Sequence, residues 1–409
     1  MTSNVAKTGS ATRGELSFLW AQDHMGIIQK IREKNIDRKP LRGYRLGFCL
    51  HITKETSVLL MAARDLGAEI AACSANPLST QDDIASFLSR QGLSIYAWRG
   101  QNDKEFKNCF KKVLRFNPHI VTDDGAELHV SACNLRWEGI IGGTEETTTG
   151  ISRLRVLQEK KTLLYPVVGV NDALTKYLFD NRYGTGQSTI DGLMRATGIF
   201  IAGKNVVVCG YGWVGKGVAS KAKGMGGIVT ITEIDSIRAL EAHMDGYAVK
   251  RLADIADTGD IFITCTGQTK VIRKEHIKKM KSGAILANAG HFDVEIDIDC
   301  LYELDPSPAP VRPTVDKFCL GEKKIYLIGK GRVINLVSGE GHPSEVMSLS
   351  FANQLLSILF VARFHGRLKN RLYKVPRRID RKVARYGVEA MEITLDRLTG
   401  AQKAYKGSF

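Results

Sequence analysis

Gly210, Gly212 and Gly215 form a GxGxxG turn directly after the apolar run Val206-Val207-Val208-Cys209, with Tyr211, Trp213 and Val214 between them. Chemistry at such a turn belongs to backbone. The first glycine permits a tight strand-to-helix turn, the second lets backbone approach a pyrophosphate, and the third lets helix and strand pack closely. The helix that follows offers N–H donors and a partial positive charge. Glu233 ends the next strand-like run, IVTITEID, about 20 residues on, where a carboxylate accepts from both ribose hydroxyls and repels a 2′-phosphate. NAD is therefore expected rather than NADP, with Arg238 close enough to soften the choice. Trp213 has two readings, a stacking group or a bulky cover over a domain joint.

A second set of reactive side chains recurs after successive strand-like runs. It comprises His51 to Thr56, Ser79 to Asp82, Asp123-Asp124-Gly125 and Glu145 to Gly150, then Asn171-Asp172, Lys176, Asp180 and Asn181. Asn288 to Asp293, Asn335 and Gly341-His342-Pro343 complete it. Any one cluster can be a helix cap, and Thr147 to Thr149 suit that role. Capping alone does not account for so many at strand ends.

The elements that must carry these groups alternate. YRLGFCLHI, AEIAACSAN, SIYAWRG, HIVTDDG, IIGGTEETTTG and YPVVGVND read as strands, separated by amphipathic stretches such as ETSVLLMAARDLG and QDDIASFLSRQG. A helix over 188–201 leads into a second series with strands NVVVCG, IVTITEID, DIFITCTG, AILANAG and RVINLVSG. Such alternation predicts βαβ units and an α/β fold of two doubly wound, Rossmann-like domains, functional groups lying past the strand C-terminal ends. The proline-rich segment Asp305 to Thr314 reads as a loop wrapping an edge, and PSEVMSLSFANQLLSILFVARF as helix. The expected division is 1–182 for substrate, 183–342 for NAD, 343–375 as a helical return to the first domain, and 376–409 as a short C-terminal oligomerisation tail.

Bulk properties exclude other classes. A chain of 409 residues is long for one core. No apolar run reaches the roughly 18 residues of a membrane helix, so no membrane partner is expected. MTSNVAKTGSATRGE lacks the apolar core of a secretory signal and reads as a frayed terminus. The eight cysteines stand singly, in no CxxC or CxxH spacing, which points to a reducing cytoplasm. The formal charge of +15 gathers at Lys104 to Arg115 and Arg363 to Arg385. With two aromatics each (Phe106 and Phe110, Phe364 and Tyr373), these stretches lack the interleaved aromatics of a single-strand-binding platform, so they read as solvated faces and subunit contacts, with no nucleic-acid partner.

The blocks HITKET, NPLSTQDD, TDDGAEL, GTEETTTG, VNDALTKYLFDNRYG, VCGYGWVGKGVA, NAGHFDVEID and GEGHPSEVMSLSFANQ together closely resemble the S-adenosylhomocysteine hydrolases, from about Gly43 to Ala404. FDNRYGTGQST and GYGWVGKG are similar to the archaeal and thermophilic bacterial branch. The resemblance implies a tightly held NAD that takes hydride from the 3′ carbon of a nucleoside thioether and later returns it. The 3′-ketone acidifies the 4′ proton, homocysteine leaves from 5′, and water adds there. Such chemistry needs a base for the 3′-hydroxyl, a base for the 4′ proton and closure against water.

By the same resemblance, Lys176 and Asp180 handle the 3′-hydroxyl, Lys176 acting as a base only if burial and positive neighbours depress its pKa. Asp124 is the 4′ base, His51 and His291 serve the 5′ position, Glu146 binds the ribose hydroxyls, and Asn181 orients Lys176 and the nicotinamide. Thr53, Glu55 and Gln81 bind substrate with the His342 loop closing over it. Thr147, Thr148, Thr149, Asn181, Glu233, Arg238, Thr266, Gly290 and Asn335 join Gly210, Gly212, Trp213, Val214 and Gly215 as cofactor contacts. His24, His119, His129, His243, His276 and His365 belong to no block and read as surface or packing residues. Asp293, Glu295 and Asp297 alternate along a strand-like run as a metal site would; the resemblance assigns them structure, and no catalytic metal is expected.

The C-terminus departs from the family pattern of a lysine- and tyrosine-bearing tail reaching a neighbour's cofactor site. Lys403 and Tyr405 are loose stand-ins, and the expected assembly is a homotetramer or homodimer. Thr185 and Ala289 replace other small residues without removing a proton-transfer group. Glu55 is an acceptor that suits adenine's amine and not hypoxanthine, yet the resemblance extends to relatives that prefer S-inosylhomocysteine, and nothing in the motifs forbids an elimination-only dehydratase. A catalytically silent NAD-binding regulator is the non-enzyme reading, against which His51, Asp124, Glu146, Lys176, Asp180 and His291 are all present.

Overall fold

The computed structural model describes residues 3–406. Six strands with β-branched and small residues form first: β1 (Arg45–Cys49), β2 (Glu69–Cys73), β3 (Ser94–Tyr96), β4 (Ile120–Asp123), β5 (Gly142–Glu145) and β6 (Val167–Gly169). A second series holds β7 (Asn205–Cys209), β8 (Ile228–Thr232), β9 (Ala248–Val249), β10 (Ile261–Thr264), β11 (Ala284–Asn288), β12 (Ala309–Arg312), β13 (Val315–Leu320) and β14 (Lys323–Ile328). The chain then returns with β15 (Leu372–Lys374) to the edge of the first sheet.

Both sheets share one logic. The first runs β15-β6-β5-β4-β1-β2-β3, all parallel, and the second runs β12-β13-β14-β11-β10-β7-β8-β9. Each reverses its strand order once, between β1 and β4 and between β7 and β10. A crevice opens beyond the strand C-termini at such a reversal. His51 and Asp124 follow one reversal, and Gly210 and Thr266 follow the other.

Several elements differ from the sequence reading. RVINLVSG is not a strand: only Val333 bridges to Asn288, and Ile334–Val337 is a short helix. Strand propensity yields there to the packing of Ile334 in the second core. The proline-rich segment contributes an edge strand, β12, antiparallel to β13, which itself pairs antiparallel with β14. Prolines suit an edge because no neighbour needs their missing N–H. The N-terminal stretch is not frayed over its described part. Asn4 bridges Tyr96, and a helix starts at Ala11, capped by the Ser10 side chain on the Arg13 N–H.

Ser344–Phe364 is one apolar helix of 21 residues, long enough to cross a membrane, yet most of it is buried inside the fold. It packs against the helices Gly26–Glu33, Lys54–Asp65 and Arg377–Ala390. Arg377–Ala390 itself is tied to the first unit, since Asp380 accepts the backbone N–H groups of Leu174 and Thr175 and Glu389 pairs with Lys30. The exposed tail thus begins after Ala390, later than position 376.

Candidate active site

A cavity of about 730 Å³ lies between the two units and is lined from both reversal points. On the first side, Asp124 follows β4 and sits between two imidazoles. His51 Nε2 is 3.4 Å from its Oδ2, and His291 Nδ1, carried from beyond β11, is 3.3 Å from its Oδ1. The Ser79 hydroxyl donates to the Asn76 carbonyl and lies 2.7 Å from His51 Nδ1. Burial keeps that ring neutral by lowering its pKa to about 4, against the pull of Asp124. Gly125 makes the approach possible: at φ +92°, any Cβ there would come within 2.3 Å of His291 Nε2.

Behind this turn Glu145 is fully buried and accepts from the N–H groups of Gly125, Ala126 and Thr147 and from the Thr147 hydroxyl. Thr147 is the N-cap of the helix Thr148–Glu159, the bland role its sequence position suits. Thr148 accepts from Asn171, whose Oδ1 accepts from Asn181.

Lys176 is the hub of the next cluster. Its Nζ donates to Asn181 Oδ1 at 2.9 Å and lies 3.3 Å from Asp180 and 3.5 Å from Glu146. Burial works against its charge, but Asp180 and Glu146 outweigh burial and raise its pKa. The condition for a basic lysine is therefore not met by the protein alone: here Lys176 is an ammonium. Asp180 is also buried, yet Lys176 and His342 hold its pKa below the ordinary value. Burial wins at Glu146, which is pushed up to about 8 despite Lys176. His342 stands 3.4 Å from Asp180, and its Nε2 is 3.1 Å from the Thr185 hydroxyl.

Thr53 caps the helix Lys54–Asp65, and Glu55 in its first turn is buried, accepting from the Ser344 hydroxyl at 2.8 Å. Gln81 does not face the cavity; its side chain accepts the Lys54 N–H instead.

The second side is made of backbone. Gly210 follows β7 at φ +100°, in the left-handed region, and a Cβ on Gly215 would lie 2.0 Å from the Gly210 carbonyl. Gly212 is different. A Cβ there would meet only Arg238 Nη1, at 3.7 Å, so the N-terminus of the helix Trp213–Gly224 opens onto the cavity. This is the cradle a dinucleotide pyrophosphate requires, and the residues present fit NAD. Gly210, Gly215 and Glu233 shape the turn without lining the cavity: Glu233 accepts the N–H groups of Tyr211, Ile234 and Asp235. Trp213 packs on Tyr177 of the first unit, with ring centroids 5.2 Å apart, as a cover over the joint would, and it also lines the cavity. Val214, Thr149, Thr266, Gly290 and Asn335 face the same space, Asn335 donating to Ser188.

Asp293, Glu295 and Asp297 diverge. Glu295 accepts from Thr266 and Gly267, while Asp293 pairs with Arg332 and Asp297 with Lys270. His129 is wholly buried between Tyr165 and the Thr144 carbonyl. Sequence reasoning missed Met347 and Phe351 in the cavity wall and the polar residues Ser344, Ser350 and Gln354 of the same helix. The available signal was polar residues recurring within an apolar helix.

Residues 2–135 match the family model described as S-adenosyl-L-homocysteine hydrolase, and residues 181–341 match that of the same enzyme's NAD-binding domain. The chain is 51% identical over 399 residues to an adenosylhomocysteinase of Aeropyrum pernix, covering 97% of this chain and 96% of that one. It is 50% identical to an adenosylhomocysteinase of Sulfolobus acidocaldarius, at 97% and 96% coverage. It is also 50% identical to an S-inosyl-L-homocysteine hydrolase of Methanocaldococcus jannaschii, at 96% and 95% coverage.

Proposed function

The chain belongs to the S-adenosyl-L-homocysteine hydrolase family, and from that premise we propose that it reversibly hydrolyses S-adenosyl-L-homocysteine to adenosine and L-homocysteine. The observation carrying this reading is Asp124 set between His51 and His291 at 3.4 and 3.3 Å, one imidazole from each side of the cavity. When bound, NAD supplies a hydride acceptor and donor for the nucleoside 3′ carbon. Gly212 and the helix start at Trp213 hold its pyrophosphate, and Glu233 shapes the adenosine end of that turn. Thr147, Thr148, Thr149, Thr266, Gly290 and Asn335 line the rest of its path.

Glu146 and Asp180 accept from the ribose hydroxyls, and Lys176, steered by Asn181, exchanges the 3′-hydroxyl proton. Because Lys176 starts charged, it yields its proton before it serves as base, and Glu146, whose pKa burial raises, is the better acceptor of its two carboxylates. Asp124 removes the 4′ proton. His51 activates water at 5′, while His291 protonates the leaving sulfur. Met347, Phe351 and the His342 loop exclude bulk water. The domain roles follow: 1–182 with the returning segments 343–375 and 377–390 for substrate, and 183–342 for NAD.

The base is argued from Glu55. Ser344 engages its Oε1, and Lys54 Nζ lies 3.3 Å from the same oxygen, leaving Oε2 to accept an exocyclic amine. Adenine has that donor and hypoxanthine does not, so the adenosyl thioether is the better partner although relatives of both names match almost equally. The test is thiol release from the adenosyl and inosyl thioethers, with nucleoside products followed by mass. Adenosyl preference with copurifying NAD is expected. Thiol release from neither, with a 4′,5′-unsaturated nucleoside formed from a 5′-hydroxy nucleoside, would replace the hydrolase with a dehydratase. NAD retained without turnover would favour a binding regulator.

A further inference from the structure

Within the apolar helix Ser344–Phe364, Ser350 and Gln354 stand four residues apart and therefore share a face. Both are fully buried. Ser350 donates to Asp180 Oδ2 and Gln354 Nε2 donates to Glu146 Oε2, each at 2.6 Å. The two carboxylates so held are the pair that flanks Lys176. One turn of one helix thus grips both counter-ions of the buried ammonium from behind, and neither Ser350 nor Gln354 lines the cavity.

The Gln354 amide presents its N–H side to Glu146, the orientation that pairs with the carboxylate in its ionised form. Its own Oε1 then has no donor among the described residues. A buried acceptor left unpaired is a standing cost. A merely space-filling position would be better served by leucine or methionine, which carry no such cost.

We propose that Gln354 is a positioning residue for the hydrolase reaction: its amide N–H holds the Glu146 carboxylate, in its ionised form, between Lys176 and the ribose hydroxyls. The inference rests on the functional reading above, in which Glu146 contacts substrate. Burial already drives Glu146 toward its neutral form, opposed by Lys176 and by the Gln354 amide. Removing the amide leaves Lys176 alone in that opposition. Glu146 then stays protonated to higher pH and presents a donor where the ribose hydroxyls need an acceptor.

Two variants test this in the full chain with its NAD. In Gln354→Met the amide is replaced by an apolar chain of similar length. Its kcat/KM for thiol release from S-adenosylhomocysteine is expected to fall about tenfold at neutral pH, its rising limb moving alkaline by about one pH unit. Gln354→Glu can donate to Glu146 only while its own carboxyl is protonated, so that variant should work at low pH and lose activity as pH rises. Opposite pH trends in the two variants support positioning. Equal losses with unshifted profiles overturn it and leave Gln354 as packing.

Thermal melting gives a second readout that needs no turnover. A folded-state pKa raised above the unfolded value favours folding at low pH and costs stability as pH rises through it. The Gln354→Met melting point should therefore drop further below that of the unsubstituted protein as pH rises through 8, and a constant offset would overturn the proposal. If the unsubstituted protein releases no thiol, the functional reading fails, while melting still decides whether Gln354 holds an ionised Glu146.

Discussion

On the first sheet's side of the cavity the working groups are side chains: an imidazole pair about Asp124, and an ammonium held by two carboxylates and an amide. Across from them the second sheet presents backbone N–H groups and the space of absent side chains at Gly210, Gly212 and Gly215. The strand order around both reversal points is the same, so topology does not create the difference. What fills the strand ends does. A cluster of charges is sensitive to deletions and to pH, because each group's protonation depends on the next. A glycine cradle is indifferent to pH and sensitive to added atoms.

The largest effect that would sharpen this contrast is expected at Asp124. Asp124→Asn should cut thiol release by on the order of 10²- to 10⁴-fold while bound NAD is still partly reduced by adenosine, read by near-ultraviolet absorbance. Unchanged turnover would remove Asp124 from the proposed mechanism.

Additions should act on the other half, and in two distinct ways. Gly215→Ala places a Cβ 2.0 Å from the Gly210 carbonyl. It should lower stability by about 2 kcal/mol through overpacking and release NAD as the turn distorts. Gly212→Ala meets nothing closer than 3.7 Å, at a φ of −71° that any residue adopts. Its NAD-free melting point should not move, while NAD retention falls about tenfold because the methyl occupies the pyrophosphate's approach. Equal melting losses for both would mean that the openness at Gly212 serves packing and not a ligand.

The smallest effect is a slope. Glu146 has a folded pKa of about 8, above the ordinary 4.5, so its contribution to folding is intact below 4.5 and is lost as pH rises through 8. Glu146→Gln cannot ionise. The NAD-free variant should melt like the unsubstituted protein near pH 5 and above it near pH 8. A pH-independent difference would mean that Lys176 keeps Glu146 ionised throughout.

Much of the site was legible because its residue types are rare at strand ends. His51, Asp124, Glu146, Lys176, Asp180, Asn181, His291 and His342 all line one cavity or border it. Gln81 stands outside the cavity wall because its side chain accepts the Lys54 N–H, a contact that no local pattern marks. RVINLVSG misled through propensity: β-branched residues predict a strand, but β14 already occupies the place beside β11. Ser350 and Gln354 were passed over since no local pattern marks which carboxylate a helix 170 to 208 residues away will meet.

By itself the sequence determined the alternation that yields two wound sheets, the glycine turn, and the inventory of groups at strand ends. Those are local properties, written in periodicity and in the few residues able to take left-handed backbone or exchange protons. Tertiary structure decided which groups meet: His291 with Asp124 across the two units, Gln354 with Glu146, and Lys176 among its carboxylates. It also decided their charges, making Lys176 an ammonium and His51 a neutral ring, because burial and partners set a pKa and neither exists in an extended chain.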